Sequence, residues 1–195
     1  LNYLLNLQFI PYERTLFKNV KKLLPGHTII YQNGKISTKR NWKLEVTEDE
    51  KPIEYHVKEI REIFTDAVRR RLTLSDVPVG IFLSGGIDSS SVVGVASQFQ
   101  NLKTYTVGFG EPTDELESAR LVSDYFETDH HEIMVENDLL KVMPEAVYHS
   151  EQPSIGMLQS YLLSKAARKH VKVILSGMGG DELFAGYDRD LYMEK

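Results

Sequence analysis

The sequence predicts an α/β fold: a parallel sheet with helices on both faces. Two observations predict it. Short apolar runs, which suit strands buried on both sides, recur between stretches of helical period from residue 53 onward. Strands that alternate with helices build a parallel sheet by crossover connections. A third observation concerns the first 45 residues, which read differently, as a β-hairpin with no such alternation.

The elements follow in order. Residues 25–42, "PGHTIIYQNGKISTKRNW", form the hairpin, with Asn33-Gly34 as its two-residue turn between alternating segments. "EVTEDEKP" (45–52) is acidic and without period, and reads as a linker. From Ile53 to Leu72 the period is helical, with Val57, Ile60, Phe64, Ala67 and Val68 on one face. Arg69, Arg70 and Arg71 lie at the end where the helix dipole favours cations. "VPVGIFL" (77–83) is a strand, Ser89 to Phe99 a helix, and "KTYTVGF" (103–109) a strand. Leu116, Ala119, Val122 and Phe126 mark a helix over 114–126 with acids in its first turn. "HHEIMV" (130–135) is a strand, 137–149 and 156–170 are helices, and "VKVIL" (171–175) is the last strand. The division expected is therefore residues 1–45, the end of a preceding domain, and 46–195, the sheet domain.

The bulk properties exclude several classes. The 195 residues are 42% hydrophobic and 26% charged, with 23 basic and 28 acidic side chains and a formal charge of -5. That balance advertises neither nucleic acid nor an anionic membrane as partner. No apolar run approaches the ~20 residues of a membrane span. The chain opens on "LNYLLNLQFIPYERTLF", without the marks of a signal peptide and without an initiator Met, as expected of a piece of a longer chain. It has no cysteine, which fits a cytoplasmic setting and removes disulfides, thiolate metal sites and any Cys nucleophile.

The chemistry concentrates in "FLSGGIDSSSVVGV" (82–95), where a strand gives way to a helix through Ser, Gly and Asp. Such a turn lies at the carboxyl edge of the sheet, where ligands of open α/β sheets bind. It offers free N–H groups and the positive end of a helix dipole, an anion site. Gly85 and Gly86 allow close backbone approach and positive φ, and Ser84, Ser89 and Ser90 add hydroxyls. The loop is neither G-x-x-x-x-G-K-S/T nor G-x-G-x-x-G. Asp88 is its odd member. A carboxylate ~4 Å from a phosphate oxygen is repelled by roughly 4 kcal/mol at intermediate dielectric. It makes sense beside a phosphate when a cation lies between them, and Mg²⁺ held by one or two carboxylates plus phosphate oxygens is the usual arrangement. The alternative is an early-helix acid or cap worth roughly 0.5–2 kcal/mol. A second stretch, "VILSGMGGDELFAGY" (173–187), repeats the design with Ser176, Gly177, a glycine pair, Asp181 and Glu182. Two such loops can supply two carboxylates to one Mg²⁺.

"SGGIDSS" resembles the pyrophosphate loop of the N-type ATP pyrophosphatases, also described as adenine nucleotide alpha hydrolase-like. With "SGMGGDELFAGY" it resembles the synthetase domain of asparagine synthetases, whose second loop reads S-G-E-G-A/S-D-E-L/V-F-G-G-Y. "TYTVGF", "HHE" (130–132) and "SYLLSKAARKHVKVILSG" align with that family too. The opening "FIPYERTLFKNVKKLLPGHTIIYQNGKISTKRNW" is similar to the closing segment of its glutaminase domain. The resemblance implies Mg-ATP-dependent adenylation of the aspartate side-chain carboxylate, release of pyrophosphate, and displacement of AMP by glutamine-derived ammonia. Carried over by position, Ser84, Gly85, Gly86, Asp88, Ser89 and Ser90 would cradle the pyrophosphate. Leu83, Val107, Ser176 and Gly177 would line the nucleotide pocket, and Asp88 and Asp181 would hold Mg²⁺. It implies a glutaminase domain as partner in the full-length chain and is compatible with a homodimer.

Met178 departs from the family, which has Glu there, and a thioether can neither accept a proton nor carry charge. Glu182 is the candidate substitute, which makes Asp88, Asp181 and Glu182 the expected catalytic acids. The family's catalytic lysine is expected beyond Lys195, and its cysteine nucleophile before Leu1. Two other readings stand beside this one: a β-lactam synthetase-like enzyme or amidotransferase that adenylates another carboxylate, and a nucleotide-binding module without catalysis. "PSIGMLQ" (153–159) is the expected neighbourhood of the acid substrate. His130 and His131, neighbours on a strand, point to opposite faces, so packing and a polar contact are expected of them rather than a shared metal. Trp42 and the tyrosines are expected in core and interfaces.

Overall fold

The computed structural model describes residues 2–7, 9–47, 49–110, 114–135, 139–151 and 157–187. A short helix α1 (Asn2–Leu7), absent from the sequence reading, precedes an antiparallel hairpin of β1 (His27–Gln32) and β2 (Lys35–Arg40). Asn33 and Gly34 take φ of 50° and 75° at its turn, the left-handed pair of a tight hairpin. The hairpin is almost wholly exposed, Ile29, Ile30, Tyr31 and Ile36 included. The expected linker carries no helix or strand among its described residues.

Helix α2 (Ile53–Thr73) leads into β3 (Val79–Phe82), α3 (Ile87–Ala96), β4 (Lys103–Gly108), α4 (Leu116–Tyr125) and β5 (Asp129–Met134). Then come α5 (Leu139–Ser150), α6 (Met157–Ala167), β6 (Val173–Leu175) and α7 (Gly180–Phe184). Each predicted strand and helix is present, with ends moved by a few residues. The exception is the second loop, which closes into the one-turn helix α7. The four strands β3 to β6 form a parallel sheet in the order β5-β4-β3-β6.

Alternation along the strands separates two apolar layers. Val79, Ile81 and Leu83 pack with Val92, Val93 and Ala96 of α3, Val68 and Leu72 of α2, and Ala119 of α4. Phe82 and Tyr105 face the opposite way, toward Leu163 and Ala167 of α6. Helices thus cover both faces, as expected. Ile81 and Val93 are fully buried, and each such side chain contributes roughly 1.5–3 kcal/mol relative to exposure. Helix α2 uses only its second half in this core. Phe64, Val68 and Leu72 pack, whereas Val57 and Ile60 remain 50% and 46% exposed. The helix is longer than the cluster it covers, so a continuous apolar stripe is only partly buried. Trp42 is also exposed, and among the described tyrosines only Tyr105 is in the core, which corrects the expectation of core roles for these residues.

The histidine pair behaves as the strand geometry requires. His130 Nδ1 lies 2.8 Å from the Thr104 hydroxyl, in a chain that continues through Thr128 to Ser123. His131 faces the other layer, stacked on Tyr105 at 5.1 Å and on His170 at 5.0 Å between ring centres. Burial holds His130 below the usual histidine range, with Glu132 pulling weakly the other way and His131 and Arg120 adding to the depression. Unfolded, His130 gains a proton near its ordinary pKa of about 6.5, whereas the folded protein resists that proton. The unfolded state therefore binds more protons as pH falls through that value, and stability falls with it. Thermal melts between pH 7 and 5.5 are expected to show this loss, and His130→Gln to diminish it. An equal loss in both proteins would show that His130 is not its source.

Candidate active site

The strand order reverses at β3. From β3 the chain moves outward to β4 and β5, and returns to β3's other side as β6. Such a switch point leaves a crevice at the carboxyl ends of the two strands, where open α/β sheets bind their ligands. Val79, Gly80 and Ile81 pair with Val173, Ile174 and Leu175. The loops that leave these strands, 83–86 and 176–179, are the two Ser-Gly loops of the sequence.

The first loop is built by its serines. Ser89, buried in the first turn of α3, accepts from the Ser84 backbone N–H at 3.2 Å, and its hydroxyl lies 3.0 Å from that of Ser84. Ser84's hydroxyl accepts from the Gly86 N–H at 3.2 Å. These bonds curl the backbone around the start of α3, whose first-turn N–H groups have no acceptor within the helix. Gly85 has φ of 82°, and a Cβ there would fall 2.5 Å from Ser118 of α4. Gly85 therefore needs both the left-handed region and the missing side chain, and its close neighbour is α4. Gly86 has φ of -69°, so the positive φ expected of both glycines belongs to Gly85 alone. Gly86 is the N-cap of α3 and receives no side-chain cap, while Asp88 sits in the first turn. The capping role left open for Asp88 is thus not used. The Ser90 hydroxyl is buried without a hydrogen-bond partner.

The second loop packs directly on the first. A Cβ at Gly177 would fall 2.7 Å from the Asp88 carbonyl carbon and from the Ser89 nitrogen. A Cβ at Gly180 would overlap the Asp88 carboxylate. Asp88 thus lies against the residue that precedes Asp181 in the chain. The Asp181 carboxylate itself rests against Gly186, at the far end of α7. Ser176 accepts from the Met178 N–H at 3.0 Å, and Met178 is 83% exposed. Glu182 accepts from the Tyr187 hydroxyl at 2.6 Å.

The residues expected to line the nucleotide pocket lie along the same edge. Leu83 has its side chain in the core, so it presents main chain there. Its N–H donates to the Tyr105 carbonyl at 2.9 Å and its carbonyl accepts from the Thr106 hydroxyl. Val107 is half-buried one strand over, paired with Ile133. Asp114, read from sequence only as a first-turn acid, accepts from Phe109 N–H at 2.9 Å and Gly110 N–H at 2.8 Å, just past β4. Residues 153–156 of the expected acid-binding segment fall outside the described residues.

The donor set suits a hard cation in part. Among the described residues no group of three or more His, Cys, Asp or Glu side chains could hold a metal by itself. Asp88 makes no hydrogen bond or ion pair with any described residue, and its oxygens lie at the contact of the two loops. One carboxylate at a loop contact suits Mg²⁺ that takes its other ligands from phosphate and water.

Residues 59–195 match the sequence model of the asparagine synthase family. The chain belongs to that family. It is 38% identical over 190-odd residues to glutamine-hydrolyzing asparagine synthetase 1 of Bacillus subtilis, an alignment that covers 94% of this chain and 30% of that protein. It is 37% identical to the amidase chyE of Penicillium rubens, covering 90% of this chain and 30% of that one. The glutamine-hydrolyzing asparagine synthetase of Zea mays is 36% identical over 72% of this chain and 26% of its own length. The chain thus spans about a third of the length of the curated relatives it matches. Among the described residues no helix is long and apolar enough to cross a membrane.

Ala185 closes α7 with φ of 53° and ψ of 49°. The second-loop pattern of asparagine synthetases has Gly at this position. A side chain in the left-handed region costs about 1–2 kcal/mol, which the greater chain entropy of glycine offsets by roughly 0.5–1. Ala185→Gly is therefore expected to stabilise the protein by roughly 0.5 kcal/mol or more, measured by urea unfolding. A lower midpoint in the variant would show that the turn is not strained.

Proposed function

We propose that this chain is the ATP-handling part of an asparagine synthetase-type ligase that works in the cytoplasm. The observation that carries the reading is the contact at the switch point: two Ser-Gly loops abut, with the Asp88 carboxylate lodged between them. In this reading the curled loop 84–90 and the start of α3 hold the pyrophosphate portion of ATP. Asp88 and Asp181 would hold Mg²⁺, which would offset the charge of the phosphates. Main chain at Leu83 and Ser176-Gly177, with Val107, borders the adenine nucleoside.

The reaction joins two displacements. An oxygen of the aspartate side-chain carboxylate attacks the α-phosphorus of ATP, and the bond to pyrophosphate breaks. Ammonia then attacks the acyl carbon, AMP leaves, and the nitrogen loses a proton. Catalysis here rests on fixed donors aimed at developing charge and on placement of the reactants. The acid that accepts the last proton is not Met178. Glu182 is the candidate, held through its hydrogen bond with Tyr187. A second reading keeps the adenylation and changes the acid that is amidated. It is favoured by Met178 and by the comparable identity to a relative named an amidase.

Residues 1–45 are the end of a glutaminase-type domain that supplies ammonia, followed by a linker to the sheet domain. The exposed apolar side chains of the hairpin support this, since Ile29, Ile30 and Ile36 need a partner surface.

Single-turnover release of AMP and pyrophosphate by the full-length protein, with aspartate and other acids in turn, tests the function. Asp88→Asn is expected to weaken Mg-ATP binding at least tenfold with the fold intact, and Met178→Glu to raise the rate of amide formation. Unchanged Mg-ATP affinity in Asp88→Asn would refute the metal role. Limited proteolysis tests the division of the chain: cleavage is expected between Thr47 and Lys51, leaving a folded fragment that begins near Pro52. A deletion of residues 1–45 that cannot fold would count against it.

A further inference from the structure

We infer that Asp114 is a positioning residue for the nucleoside: its carboxylate fixes the main chain at the end of β4, the wall against which the nucleoside is bound. This rests on the reading of Val107 as a border of the nucleotide pocket. Phe109 and Gly110 follow Gly108, the last residue of β4, at the carboxyl edge of the sheet. The neighbouring strand enters the first Ser-Gly loop at the same level. Leu83 donates its N–H to the Tyr105 carbonyl, and its own carbonyl accepts from the Thr106 hydroxyl. The end of β4 therefore stands directly beside loop 83–86.

An acid just before a helix ordinarily caps it. Here Glu115 is the N-cap of α4 and makes no side-chain cap, and the Asp114 carboxylate turns back to the strand. Both of its oxygens accept from the Phe109 N–H, at 3.0 and 2.9 Å, and Oδ2 also accepts from the Gly110 N–H at 2.8 Å. Gly110 has φ of 74°, and nothing lies within 4 Å of where its Cβ would be. Conformation, not crowding, favours glycine there. Two successive N–H groups aimed at one carboxylate make a concavity of the kind that binds anions. At Gly108 the packing is close: a Cβ would fall 2.9 Å from Leu116 Cδ1 and Met134 Sδ, and 3.1 Å from Asp114 Oδ2. One carboxylate thus bears on three consecutive residues at the end of β4. Because an internal anion fills this concavity, its N–H groups are not offered to phosphate. The first-turn N–H groups of α3 have no acceptor within the helix and remain for that role. Asparagine cannot replace the carboxylate, because its oxygen accepts while its nitrogen sets N–H against N–H. Asp114→Asn therefore loosens the end of β4, while the Ser84, Ser89 and Gly86 bonds that shape the phosphate loop stay in place.

The test compares two probes on the full-length protein by isothermal titration calorimetry: AMP alone, and pyrophosphate with Mg²⁺. Asp114→Asn is expected to weaken AMP binding about tenfold, the scale of one lost charge-assisted hydrogen bond, and to leave pyrophosphate within about twofold of the wild type. Asp88→Asn, run in parallel, is expected to show the reverse. Equal weakening of both probes in Asp114→Asn would mark a general loosening and refute the inference, and so would an unchanged AMP affinity. In either case the reading of the pocket stands, provided the wild type binds AMP. A wild-type protein that does not bind AMP overturns that reading and the inference with it. Should Asp114→Asn not fold, Asp114→Glu, which keeps the charge but moves it by one methylene, carries the same comparison with the same outcomes.

Discussion

The pairing of β6 against β3 is the constraint on which the site depends. Only three residue pairs make this ladder, Val79, Gly80 and Ile81 with Val173, Ile174 and Leu175. They join segments some ninety residues apart, and the loop closure this requires is offset by burial of Ile81 and Leu175 in the layer that α3 covers. Because the strands are parallel, both chains leave the sheet on the same edge. The two Ser-Gly loops are then neighbours by construction. Were β6 to add at the β5 edge, the same loops would lie three strands apart, and no single phosphate group could meet both.

Given that placement, the loops themselves are shaped by small groups. Serine hydroxyls substitute for missing backbone partners: Ser84 and Ser89 bind each other and the N–H groups at the turn, which curls the loop without a charged side chain. Glycines set the distances between neighbouring pieces. Gly85 allows α4 to approach, and Gly177 and Gly180 allow the second loop to touch Asp88. Polarity here arises from main chain and hydroxyls, which suits an anion that must be both held and released.

The edge opposite the site is held by a different logic. Arg120 and Glu132 pair side by side, and Lys103 meets Asp129 at 3.0 Å. Each of these acids is held below the usual carboxylate range first by its basic partner's hydrogen bond. Exposed pairs of this kind contribute little to stability. Beneath them, Thr104 and His130 use buried hydrogen bonds between β4 and β5, and His131 stacks on Tyr105 on the other face.

Most of the architecture was legible along the chain because it follows from local rules. Short apolar runs between helical stretches marked β3 through β6, helical period marked α2 through α6, and Asn33-Gly34 marked the hairpin. The residue types at 84–90 and 176–182 also singled out the two loops that the fold brings together. Tertiary structure decided what depends on contacts between distant segments. It set the order of strands, and so the adjacency of the loops. It showed that Val57 and Ile60 overhang the core, that Leu83 spends its side chain inward, and that the second loop turns into α7. It also distinguished glycines that the sequence presents alike. Gly85 needs its φ, Gly86 does not, and Gly180 lies against a carboxylate nearly a hundred residues earlier. Periodicity reports which face of an element is apolar, whereas close approach between two backbones is set only when the sheet has brought them together.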